Sequence, residues 1–108
     1  MLRLEERRRL ARFDDESMAA AAHRLRAARF VASLSREQIA ESGIMAPELA
    51  HIEAAEAGLV LPDYALETFY WRRLKLTRDF FDRGEVKDVP VEIEDMLFAA
   101  LKAQIAGK

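Results

Sequence analysis

Residues 34–53 read LSREQIAESGIMAPELAHIE, and this stretch decides the fold. Ser35 is a strong helix N-cap, and Gln38, three residues later, completes a capping box. Gly43 suits the end of this first short helix, because a glycine can take a positive φ without strain. Pro47 suits the first turn of a second helix, where its missing N–H would have no partner. The stretch therefore predicts two short helices joined by a glycine-containing turn.

The second helix is expected to run from Ala46 to Ala54. Leu49 and Ile52 lie three residues apart and so on one face of it, while Ile44 is placed to anchor the turn. A short helix, a turn with glycine and a second short helix together are typical of helix-turn-helix DNA-binding segments.

At these positions the chain resembles the Cro/repressor (XRE) family of helix-turn-helix DNA-binding domains. The family pattern is carried here by Leu34-Ser35, Glu37-Gln38, Ile39-Ala40, Gly43-Ile44, Leu49 and Ile52-Glu53. Flanking matches are Leu25-Arg26 and Ala28-Arg29 upstream, and Leu61-Pro62-Asp63 downstream. The resemblance covers roughly residues 18–84. It implies an all-α fold, a five-helix lambda-repressor-like helix-turn-helix bundle with a helical extension at each end.

This interpretation divides the chain into three parts. Residues 1–17 form a charged helical extension, residues 18–84 the helix-turn-helix domain, and residues 85–108 a linker followed by an amphipathic helix. Thr77 is expected to cap the fifth helix of the domain and Gly84 to end it. In the first helix, Arg24, Arg26 and Arg29 are expected on polar faces.

The N-terminal extension has two interpretations. Its interleaved charges suit a solvated helix, whereas the arginines could instead form a basic arm that follows DNA phosphates. These arginines are Arg7, Arg8, Arg9 and Arg12. Five acids balance the five arginines of residues 1–17, which argues against a strong positive field there.

Composition excludes several classes of protein. The chain has 108 residues, which suits one domain, and its formal net charge of −2 gives no global signature of a nucleic-acid binder. Without cysteine, it has no disulfide, thiolate nucleophile or cysteine-based zinc site. Its apolar runs are too short to span a membrane and its N-terminus is charged, so we expect a cytoplasmic protein without membrane contact.

Catalysis has no support in the pattern of residues. The two histidines, His23 and His51, lie on different predicted helices, and neither has an i, i+4 partner of the kind that binds metal. The four glycines are dispersed, so they form no phosphate-binding loop, and no serine lies in a nucleophile-elbow context. We therefore expect no enzyme, no metal and no cofactor.

The resemblance implies where double-stranded DNA would bind. The second helix would enter the major groove and bring Ala46, Pro47, Glu48 and His51 to base edges, with Arg36 on a phosphate. Alanine and proline offer bases no hydrogen bond, although alanine can touch a thymine methyl and glutamate can accept from cytosine. Four further basic residues are either a phosphate clamp or a solvated helix face: Arg72, Arg73, Lys75 and Arg78. Such sparse positive charge predicts weak, salt-sensitive binding unless a dimer doubles it.

The C-terminal helix carries a continuous apolar stripe and therefore needs a partner surface. It either folds onto its own bundle or pairs with a second copy, and we favour a homodimer because helix-turn-helix proteins usually read two half-sites. Phe30 and Val31 should also be covered, either by an extension of the chain or by a second subunit. The residues expected at the oligomer interface are Ile93, Leu97, Leu101, Ile105 and Phe30.

Two functions follow from different classes of protein. The first is a sequence-specific, XRE-type transcriptional regulator that binds DNA as a dimer. The alternative is a repurposed helix-turn-helix adaptor, whose acidic and apolar surfaces bind a protein partner.

Overall fold

The computed structural model describes residues 3–106, and within them the chain is all-helical, as the sequence predicts. Its seven helices in chain order are α1 (Leu4–Ala11), α2 (Met18–Ala32), α3 (Arg36–Ala40), α4 (Leu49–Glu56), α5 (Tyr64–Leu74), α6 (Arg78–Arg83) and α7 (Val91–Ala106). None of them is long and apolar enough to cross a lipid bilayer.

Short polar side chains begin four of these helices. Ser17, Ser35, Asp63 and Thr77 each accept a hydrogen bond from the amide three residues later. At Ser35 the capping box is complete, because the Gln38 side chain accepts from the Ser35 N–H at 2.8 Å. The predicted caps at Ser35 and Thr77 are therefore confirmed, as is the end of α6 at Gly84, which has φ 77°.

The core is built around α2, which packs against α7, α4 and α6. Its alanines allow close approach, and the larger side chains come from the surrounding helices. The fully buried large apolar residues include Leu25, Ile39, Ile52, Leu66, Tyr70, Leu76, Phe80, Phe81, Leu97 and Leu101. Tyr70 and Phe80 both lie against the ring of Phe81, at centroid distances of 5.4 and 5.0 Å.

Arg24 was expected on a polar face of the helix, but it is fully buried. Its guanidinium donates to the carbonyls of Ala11, Arg12, Asp15 and Phe81 at 2.6 to 2.9 Å. These bonds join α2 to the end of α1, to the turn that follows it and to α6. Burial lowers the pKa of Arg24 to about 10.

The turn between α3 and α4 differs from the expectation in three ways. The second helix begins at Leu49 and not at Ala46, Gly43 has no positive φ, and Ile44 is fully exposed and anchors nothing. Pro47 explains why Ala46 is not helical, because its ring disfavours helical geometry at the residue before it. Glu48 is still extended, with φ −74° and ψ 142°, so the helix starts only after it.

The C-terminal helix α7 folds onto its own bundle, against α2 and α1. Leu97 and Leu101 are fully buried there, and the Gln104 side chain donates to the carbonyl of His23 at 2.9 Å. The assignment of Leu97 and Leu101 to an oligomer interface is therefore wrong, because the bundle itself covers them. Ile93 is half-buried against the same core, and Ile105 is partly exposed.

Phe30 is 75 % exposed, so neither extension covers it, whereas Val31 packs against the core. The prediction that an extension shields both side chains is wrong for Phe30. The alternative, that a second subunit covers Phe30, stays a prediction.

The N-terminal helix is mostly exposed but is attached to the bundle. Leu10 and Ala11 are buried, and Arg7 forms an ion pair with Glu94 and lies over the ring of Phe98 at 5.1 Å. Arg7 is therefore engaged within the chain, while Arg9 stays exposed.

Candidate nucleic-acid interface

The candidate site comprises α3, the turn of residues 41–48 and α4. Ile39 and Ile52 hold the two helices in place, and both are fully buried. Helix α4 places Ala55 and Glu56 on the same inner side and leaves Ala50 and Glu53 on its outer side. The outer side of α4 is thus uncovered by the described part of the chain, but it carries no basic residue.

The start of α4, like that of α1, has no side-chain cap. Its N-cap residue is Glu48, whose side chain makes no capping hydrogen bond. Helices α2, α3, α5 and α6 all have a side-chain cap. The first N–H groups of a helix lack intrahelical partners, and they carry the positive end of its dipole. The start of α4 is consequently suited to an anion such as a phosphate oxygen.

The structure separates the four predicted base-contacting residues. Glu48 is exposed, Ala46 is half-buried and Pro47 is buried. His51 is partly buried, and its Nε2 accepts a hydrogen bond from the Asp63 N–H at 2.9 Å. Glu48 is therefore the most accessible of the four, whereas His51 also holds the entry to α5.

Arg36, the predicted phosphate ligand, belongs to a cluster that sequence reasoning missed. Its Nε donates to Glu56 Oε1 at 3.1 Å, and the Nε of Arg29 donates to Glu56 Oε2 at 2.8 Å. The Glu56 side chain is only 3 % exposed, while that of Arg36 is 41 % exposed. One buried carboxylate thus fixes two arginines, and the group keeps a net positive charge with Arg36 on its solvent side.

A third arginine also contacts Glu56. The Arg26 Nη1 donates to the backbone carbonyl of Glu56 at 2.6 Å. Tyr70 lies deep in the core nearby, and burial, followed by the charge of Glu56, raises the pKa of its phenol. No sequence motif marks Glu56, because its role depends on α2, α3 and α4 meeting in space.

The four residues of the predicted phosphate clamp do not act as one group. The Arg78 Nε donates to Glu67 Oε1 at 3.1 Å, and the Lys75 ammonium lies 5.1 Å from the centre of the Trp71 ring. Arg72 and Arg73 are exposed and form no ion pair with any residue between 3 and 106.

Arg72 and Arg73 lie at one end of a groove of about 720 Å³ between the turn and α5. On the turn side it is lined by Ser42, Gly43, Ile44, Met45, Ala46 and Pro47, and on the α5 side by Tyr64, Ala65, Thr68, Phe69, Arg72 and Arg73. Ile44, Met45 and Tyr64 are largely exposed, so the groove is apolar along its length and basic at this end. Sequence reasoning missed it, although the apolar pair Ile44-Met45 in a turn was a signal.

Residues 3–106 contain no group of three His, Asp or Glu side chains arranged to hold a metal ion. Comparison with protein-family models, with curated proteins and with solved structures finds no match to this chain. A function therefore has to be argued from the surface itself.

Proposed function

We propose that this chain is a helix-turn-helix DNA-binding regulator of the XRE type that acts as a dimer. The observation that carries the proposal is the uncapped, uncovered start of α4, which is the second helix of the predicted helix-turn-helix. Helix-turn-helix proteins place the N-terminal residues of this helix at base edges in the major groove.

Arg36 supplies the phosphate contact of the proposed complex. It is the first residue of α3, and the buried Glu56 holds its Nε and leaves the rest of the guanidinium on the exposed side. A fixed guanidinium loses little conformational entropy when it meets a phosphate. The open N–H groups at the start of α4 supply a second contact of the same kind.

Base recognition in this complex is sparse. Glu48 accepts a hydrogen bond from a cytosine amino group, and Ala50 contacts a thymine methyl group. One subunit offers few such contacts, so sequence specificity depends on two half-sites bound by a two-fold pair.

A mobility-shift or anisotropy titration with duplex DNA at low salt tests the proposal. With Arg36 as the main phosphate ligand of each subunit, a dimer releases counterions from about two phosphates. The logarithm of the association constant then falls against the logarithm of salt concentration with a slope of about −2. Arg36→Ala should remove most of this slope and weaken binding about tenfold or more.

The matched control is Lys87→Ala, which removes one exposed positive charge from the linker before α7. It should leave the slope unchanged. Equal effects of the two substitutions, or no retardation of any duplex by the wild-type protein, would count against DNA binding.

The adaptor function remains the second candidate, and one specific observation favours it. The turn that precedes α4 exposes Ile44 and Met45, and the outer side of α4 carries Glu53. Such a surface suits a protein partner better than a phosphate backbone. Arg36→Ala separates the two, because it should abolish DNA binding and leave binding to a protein partner unchanged.

A further inference from the structure

The groove between the turn and α5 is an apolar surface with unneutralised charge at one end. On the α5 side of the groove, the lining residues come in pairs at intervals of four residues. These pairs are Tyr64 and Ala65, Thr68 and Phe69, and Arg72 and Arg73. These pairs form one continuous face of the helix, about 14 Å long. Because Arg72 and Arg73 have no carboxylate partner within residues 3–106, a ligand with negative charge at that end would be attracted.

At Gly43 the backbone that lines the groove is not covered by a side chain. This glycine has no positive φ, and a Cβ built on it would meet nothing within 4 Å. Neither backbone strain nor internal packing therefore accounts for glycine here. Without a side chain, the backbone of the turn stays accessible to a molecule lying in the groove.

The chain itself presents a surface with the complementary chemistry. The outer face of α7 exposes Val91 and Met96, at 66 % and 47 %, together with the carboxylates of Glu92 and Asp95. Neither carboxylate forms an ion pair with any residue between 3 and 106. Further along the same face come Ala99, Lys102 and Ala103, all exposed, and the two alanines are small enough for close helix approach.

We propose that the groove binds the start of α7 from a second copy of this chain. Val91 and Met96 then cover Ile44, Met45 and Tyr64. Glu92 and Asp95 of one copy meet Arg72 and Arg73 of the other. We take the pair to be two-fold, so that the groove of each copy receives the helix of the other and the contact is made twice. Arg72 and Arg73 thereby serve dimer formation and not phosphate binding.

This inference deepens the proposed function, since it names the contact that forms the dimer, and it is tested without DNA. Sedimentation velocity at a series of protein concentrations measures the monomer–dimer equilibrium. We expect Arg72→Glu with Arg73→Glu to raise the dissociation constant of the dimer about a hundredfold or more, because like charges then face each other. Glu92→Arg with Asp95→Arg should do the same.

The decisive sample is an equimolar mixture of these two double variants. In a mixed pair the reversed groove faces the reversed helix, and the wild-type groove faces the wild-type helix. Both contacts are then complementary, so the mixture should dimerise with a dissociation constant close to that of the wild-type protein. All four positions are exposed, and a matched control at other exposed basic residues, Arg9→Glu with Lys87→Glu, should dimerise normally.

Three results would overturn the inference. The first is a wild-type protein that stays monomeric at every concentration. The second is a dimer that is indifferent to both charge reversals, as expected if Phe30 or another protein surface forms the interface. The third is a mixture that fails to restore association. A monomer that still binds duplex DNA would rule out the dimer but leave DNA binding by α3 and α4 standing, and a dimer that binds none would leave the interface standing and rule out the proposed function.

Discussion

The guanidinium of Arg24 holds together parts of the chain that are far apart in sequence. It donates to the carbonyls of Ala11 and Arg12 on one side and of Phe81 on the other. Gly84 makes room for this arrangement, because a Cβ there would lie 2.5 Å from the Ala11 carbonyl oxygen and 3.0 Å from Arg24 Nη2. In the bundle that carries the candidate site, one buried cation thus joins α2 to α1 and to α6.

Arg24→Met should lower the free energy of unfolding by about 3 kcal/mol or more. Methionine fills similar space but leaves the carbonyls of Ala11, Asp15 and Phe81 without this donor, and each unsatisfied buried group costs about 1–3 kcal/mol. Chemical denaturation measures the change. Arg9→Met, at an exposed position on α1, is the control and should change stability by less than about 0.5 kcal/mol. A change at Arg24 as small as that at Arg9 would show that the four hydrogen bonds do not stabilise the fold.

The burial of Arg24 could not be predicted from the sequence. Arg24, Arg26 and Arg29 look equivalent in an alanine-rich helix, and nothing local distinguishes the buried one. Arg24 is buried because Gly84, sixty positions along the chain, lets α6 approach the end of α1. The role of Glu56 was hidden for the same reason, since its partners Arg29 and Arg36 lie on two other helices.

At the scale of elements, the contact between α5 and α6 contains a buried carboxyl group. Glu67 is 7 % exposed, and burial raises its pKa from 4.5 to about 7, assisted by the nearby carboxylate of Asp82 and opposed by the hydrogen bond from Arg78. The folded protein therefore holds a proton at Glu67 at pH values where the unfolded chain has released it.

This pKa shift predicts a pH-dependent stability. Because the pKa is higher in the folded state, the contribution of Glu67 is fully present below about pH 4.5 and is lost as the pH rises through about 7. Glu67→Gln keeps the hydrogen-bonding shape without the titration. The unfolding free energy of this variant, measured relative to wild type, should therefore rise between pH 5 and pH 7. Parallel stability curves for the two proteins over that range would refute the shift.

The helices themselves were largely readable from sequence, because their start signals are local. Ser35 with Gln38, Thr77 and Gly84 act within a few residues, and all were confirmed. The predicted helix start at Ala46 was wrong. Pro47 suits a first helical turn, but it also disfavours helical geometry at the residue before it. The apolar stripe of α7 predicts that this face is buried, but it does not identify the partner surface. Both the bundle and a second copy of the chain could cover it.

At the scale of the whole molecule, the chain measures about 39 × 27 × 24 Å. Half-sites of a helix-turn-helix operator lie about 34–36 Å apart, one turn of DNA. A chain of this size leaves room for two copies on neighbouring half-sites, and the proposed DNA binding requires that the dimer direct both α4 helices to one side. The net charge of −2 provides no general attraction to DNA, so the proposed binding would depend on Arg36, on the start of α4 and on the pairing of two copies.

The proposed function requires that the surface formed by α3, the turn and α4 read a duplex. Its most direct test is a selection of protein-bound molecules from a library of random duplexes at low salt, followed by sequencing. We predict enrichment of an inverted repeat whose half-sites lie about one helical turn apart, and loss of that enrichment in Arg36→Ala. Recovery of unenriched, random sequences by the wild-type protein would contradict the claim.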